Sequence, residues 1–148
     1  MSSFVLSMIA TMAFAVLYQI PRKAIIPVGL LGGVAYLFQT AAMRYGMTEV
    51  VASFVASLSV CLLSEGLARR LRMPVTVFAV PGIVILVPGI DAYMAMKAFV
   101  QNHELQGVSL LSQTALVAGA IASGLVISGV LFRSVWRVRH YAGRRSGD

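Results

Sequence analysis

The residues best placed for chemistry lie in one apolar stretch, Pro74–Val100 (PVTVFAVPGIVILVPGIDAYMAMKAFV). It carries two Pro-Gly pairs, Pro81-Gly82 and Pro88-Gly89, and its only acid, Asp91, comes two residues after the second. Each proline lacks an N–H and biases the residue before it, Val80 or Val87, away from helical angles. Carbonyls freed in this way cannot face lipid, so broken backbone at bilayer depth lines protein or a watery cavity. Asp91 has two readings. Just before Ala92-Tyr93-Met94 it is positioned as a helix N-cap. As an ionisable group inside a span, it binds a charged solute or carries a coupling proton. A helix start at Ile90–Tyr93 offers backbone donors to a solute carboxylate, ionised Asp91 attracts an ammonium group, and Tyr93 adds a hydroxyl. That combination suits a zwitterion better than a dicarboxylate. Lys97 is read as lying off the face of Asp91 and snorkelling to the surface.

The elements that must position these groups are apolar helices. Of 148 residues, 59% are hydrophobic and 11% charged, and the charges cluster between long apolar runs. This is the pattern of an all-α, polytopic membrane bundle, with about five transmembrane helices, one of them broken at Pro-Gly. The spans read as about Phe4–Ile20, Ala24–Met43, Glu49–Ala68, the broken stretch, and Val108–Phe132. The first starts without a basic leader region and reads as a retained span. The broken stretch reads as one bent crossing followed by a surface helix from Ala92 to about Asn102. Residues 1–132 form the transmembrane domain, and 133–148 a basic cytoplasmic tail with Trp136 and Tyr141 at the interface.

Small residues recur at helical spacing in three spans. Gly29 and Gly33 form a GxxxG pair with Gly32 beside it; Ser53, Ser57, Cys61, Ser64 and Ala68 share a face; Ala115, Gly119 and Ser123 form one row of the last span, and Ala120, Gly124 and Ser128 another. Such rows allow close helix contact, here with partner helices or further copies of the chain. Gln39 reads as an interhelical hydrogen-bonding group or, alternatively, as a solute contact.

The net charge of +7 does not imply nucleic-acid binding, because the basic residues sit at span ends and in the tail. Five crossings put Arg22, Lys23, Arg69, Arg70, Arg72 and the tail arginines on one side, and only Arg44 and Lys97 on the other. The bias points to a cytoplasmic C-terminus and an external N-terminus. A single cysteine, Cys61, excludes an intrachain disulfide, and His103 and His140 have no clustered acids or thiols for a metal site. Without a Walker loop, zinc signature or catalytic constellation, no enzyme or cofactor is expected, and transport would be driven by an ion gradient.

The VPGIVILVPGIDAYMAM stretch, with PRKAIIPVGLLGG upstream, resembles the threonine/serine exporter (ThrE) family. It is most similar to the small, YjjB-type subunit found where that exporter is split into two polypeptides. The resemblance extends from about Pro21 to the last span, and Pro88-Gly89-Ile90-Asp91-Ala92-Tyr93 carries its most specific part. It implies a bacterial inner-membrane secondary exporter component working with a larger membrane subunit of the family. The implied solutes are threonine and serine, with dicarboxylates of the succinate type as the alternative. Pro88, Gly89, Ala92 and Tyr93 match the motif without an assigned role. Pro81, Gly82, Pro88, Gly89, Asp91, Tyr93 and Gln39 make up the expected solute or ion path. A non-transporting scaffold or assembly subunit, whose broken helix only shapes an interface, is the reading from another class.

Overall fold

The computed structural model describes residues 2–142, with side chains described for residues 2–132. It is all helical: α1 (Ser2–Leu17), α2 (Arg22–Arg44), α3 (Glu49–Leu71), α4 (Thr76–Val84), α5 (Gly89–Val100) and α6 (Glu104–Ala142). α2, α3 and the Glu104–Phe132 part of α6 are each long and apolar enough to cross a membrane. α4 and α5 pass the same test as a pair bent by 50°. α1, with 16 residues, is shorter. At about 1.5 Å rise per residue it covers about 24 Å, so the count of five requires this thin element to cross with little tilt. α6 continues past Phe132 to Ala142, so helix runs into the segment read as a tail. The expectations for Trp136 and Tyr141 and for residues 143–148 lie outside the described side chains or residues.

The bundle keeps small and hydroxyl-bearing residues inside and large apolar ones outside. Ser53, Ser57, Ser64, Ala52, Ala56 and Ala68 of α3 are buried, whereas Leu6, Ile26, Leu116 and Val126 are exposed on their helices. That arrangement suits lipid, where close backbone approach rather than apolar burial drives association. α1 runs antiparallel to α2, and the expected glycine row forms the contact. A Cβ on Gly29 would press on Met12, one on Gly32 on Thr11, and one on Gly33 on Phe4 and Met8. The GxxxG pair is therefore filled from within the chain and is not open to a second subunit.

α2 and α3 are antiparallel and joined, little more than a turn from their connecting loop, by Gln39 Nε2, which donates to Ser53 Oγ at 3.3 Å. α3 and α6 run parallel. Gln113 Nε2 donates to Glu49 Oε2 at one end (2.9 Å), Gly124 sits on Ser57, and the Arg69 guanidinium lies 4.4 Å from the Phe132 ring centre at the other end. Ser57 and Ser64 donate back to the Phe54 and Val60 carbonyls, so this serine face is a packing seam. The two rows of α6 separate. Ala120, Gly124 and Ser128 turn inward, whereas Ala115, Gly119 and Ser123 are exposed, with nothing within 4 Å of a Cβ added at Gly119. Tight turns close the connections, with Gln19, Arg72 and Asn102 in the left-handed region at the ends of α1, α3 and α5.

Candidate functional site

Only one of the two Pro-Gly pairs breaks the helix. Pro81 and Gly82 lie inside α4, fully or nearly buried, and Val80 stays helical despite the proline that follows it. In a helix of nine residues the missing N–H of Pro81 removes one intrahelical bond, and packing outweighs that loss. Phe78 is completely buried in a cluster with Ala15, Ala24, Val28, Leu31 and Ala68 from three other helices. Gly82 lets α4 settle between α2 and α3, since a Cβ there would come within 2.9 Å of Val60 and 3.5 Å of Leu31.

The break lies at Ile85–Pro88. Pro88 has φ −76° and ψ 59°, and the Gly89 N–H closes onto the Val87 carbonyl at 2.8 Å. These values define an inverse γ-turn centred on the proline, whose ring presets the required φ. Ala92 N–H then donates to the Pro88 carbonyl at 3.1 Å and starts α5. One side chain fixes the depth of the break. Leu86, 3% exposed, packs with Ala35, Ala56, Val60, Val117 and Ile121. Val60 is the central residue of α3, Ala35 is close to the centre of α2, and Val117 and Ile121 bracket the centre of the apolar part of α6. The chain is thus interrupted at mid-height of the three long helices.

Past the break, α5 lies antiparallel against the first turns of α6, with Phe99 on Gly107 and Ala95 and Ala98 buried. It starts at Gly89 and packs on a long helix, instead of forming a detached surface helix from Ala92. The cap position belongs to Pro88, and Asp91 is the third residue of α5, with no side-chain cap bond. The N-cap reading of Asp91 is corrected accordingly: the proline turn, not the acid, sets where the helix begins. A carboxylate in the first turn still interacts favourably with the positive end of the helix.

Asp91 opens into a groove between α5 and α6 with a volume of about 290 Å³. Met94, Lys97, Ala98 and Gln101 of α5 line it, facing Gln106 and Leu110 of α6. Lys97 therefore shares a groove with Asp91, although six residues separate them. Sequence reasoning missed Lys97, Gln101 and Gln106, because α6 forms the opposite wall and its register is a long-range property. Spacing offered a partial signal: Asp91, Met94, Ala98 and Gln101 fall on one helical face, and Lys97 flanks it. The other expected path residues are elsewhere. Tyr93 is 65% exposed and points away from the groove, and Gln39 is bonded to Ser53. Pro81 and Gly82 belong to the packed arm of the broken helix, and Gly89 is exposed at its turn.

The threonine/serine exporter (ThrE) profile matches residues 3–131 of the chain. A probable threonine/serine exporter of Mycobacterium tuberculosis is 30% identical over 129 residues, which cover 86% of this chain and 24% of that protein. An uncharacterized protein of Haemophilus influenzae is 30% identical over 132 residues, covering 84% of this chain and 44% of its own length. The chain thus spans less than half the length of either relative. No solved structure matches it.

Proposed function

The chain belongs to the threonine/serine exporter family, and from that premise we propose that it is a membrane subunit of a secondary exporter for threonine- or serine-type amino acids. A larger membrane subunit of the same family supplies the remainder of the path, and an ion gradient drives export. The supporting observation is the break at Ile85–Pro88, held by Leu86 at mid-height of the long helices. Discontinuous helices at that depth are how secondary transporters expose backbone and polar groups to solutes. The much greater length of both relatives supports a contribution from further polypeptide. Homo-oligomers are compatible with the exposed Ala115–Gly119–Ser123 row.

The test is efflux from cells preloaded with labelled threonine, serine or succinate, with this chain and the larger subunit present separately and together. Amino-acid efflux that needs both chains is expected. Efflux of succinate alone would replace the substrate class, and no chain-dependent efflux of any solute would leave the scaffold reading.

The proposed location is a bacterial inner membrane, with the N-terminus outside and the C-terminus cytoplasmic, as the distribution of basic residues favours. A reporter active only in the cytoplasm is expected to work when fused after Asp148. Activity only at the N-terminus would reverse the orientation.

A further inference from the structure

We propose that the α5–α6 groove holds the two charged ends of a zwitterionic solute, Asp91 receiving its ammonium group and Lys97 its carboxylate. The inference rests on the exporter reading for its biological setting but concerns binding, which is measured separately.

Three observations carry it. First, the groove presents one carboxylate and one ammonium group, and neither has a hydrogen bond or ion pair to any described residue. An ionisable residue within a membrane span is by default a candidate for a solute or ion pathway. Second, the two residues are spaced along the groove. They stand six residues apart on one helix, a rise of about 9 Å, with Met94 between them in the lining. A ligand bearing both charges in reversed order satisfies each, whereas a dicarboxylate would set one of its ends against Asp91. Third, the remaining polar groups in the lining are the carboxamides of Gln101 and Gln106, close to Lys97 along the groove. Each offers donors and an acceptor, which suits a solute carboxylate and a small hydroxyl side chain. The volume of about 290 Å³ fits a small metabolite.

This assignment differs from placing the solute carboxylate on the first turn of α5. Asp91 occupies that turn, and its charge would repel a second carboxylate there. Tyr93, on the exposed side of the helix, takes no part.

The shared chemistry, an ammonium group and an oxyanion on one small frame, also occurs in a phosphatidylethanolamine headgroup. The experiment therefore measures binding of labelled serine to the full-length chain, with its larger subunit, in phosphatidylglycerol nanodiscs with and without phosphatidylethanolamine. Ethanolamine serves as an ammonium-only competitor and lactate as a carboxylate-only competitor. In the parent, both are expected to compete weakly and serine strongly. Asp91→Asn and Lys97→Gln are each expected to weaken serine binding about tenfold or more, the loss set by one hydrogen bond to a charged group. Asp91→Asn should abolish competition by ethanolamine and keep that by lactate, and Lys97→Gln should do the reverse. A merely structural role would not separate the competitors. Parental serine affinity in both variants, equal loss of both competitors in each, or absence of serine binding to the parent would overturn the proposal. So would displacement of serine by phosphatidylethanolamine, which would make the groove a lipid site. Serine binding without efflux would count against the exporter reading and leave the site standing. Efflux unaffected by either variant, at parental affinity, would do the opposite.

Discussion

Replacing Gly124 with leucine is expected to remove most of the protein from the membrane, whereas Gly119→Leu leaves its level close to that of the parent. The two glycines lie five residues apart on α6 and belong to different rows. A Cβ at Gly124 would meet Ser57 Oγ, the Phe54 carbonyl oxygen at 3.1 Å and the Leu58 nitrogen at 3.2 Å. Two of these are backbone atoms of α3 and cannot rotate away, so the helices must separate along the seam. Overpacking of this kind costs about 1–3 kcal/mol and more where backbone must move. Much of a marginal stability is lost with it, because α3 on α6 is the contact that joins the α5–α6 half to the rest. At Gly119 nothing lies within 4 Å, and leucine is an ordinary lipid-facing residue there. Immunoblots of isolated membranes, with thermal stability of the purified chain, distinguish the two. A parental level and stability for Gly124→Leu would mean that α3 and α6 do not meet as described.

The class of the fold and the break at Pro88-Gly89 were legible in the sequence because both follow from local chemistry. Long apolar runs with charges only at their ends must be membrane helices, and Pro88-Gly89 before an amphipathic helix must start a new element. Pro81-Gly82 carries the same letters but does not break the chain, since the outcome there depends on what packs around it. Phe78 and the glycine itself hold α4 between its neighbours, and the single lost hydrogen bond is outweighed. The small-residue rows were visible as rows, but their partners were not. Gly29 and Gly33 receive α1 of the same chain, and the two rows of α6 divide into a seam and an exposed face. Of the two readings of Asp91, the cap does not hold, because the residue that presets φ, Pro88, decides where α5 begins. Lys97 was set aside because a helix taken alone puts it off the face of Asp91. Only the wall provided by Gln106 and Leu110 makes a single groove of the two.

The proposed function requires the break to be part of the transport path and not only a feature of packing. Pro88→Ala addresses this. Alanine restores an N–H and frees Val87 for helical angles, so the inverse γ-turn loses the ring that presets it. A continuous α4–α5 helix would remove the 50° bend, and α5 could then no longer lie on α6 while Leu86 stays in its cluster. The groove holding Asp91 and Lys97 would lose one wall, whereas the α1–α4 core, which does not involve α5, would remain. The most direct measurement is the initial rate of labelled threonine efflux from cells carrying the larger subunit with either parent or Pro88→Ala, normalised to membrane protein level. A rate lower by about tenfold or more is expected at a nearly parental protein level, corresponding to about 1.4 kcal/mol or more on the transport barrier. A parental rate at a parental level would contradict the proposed function.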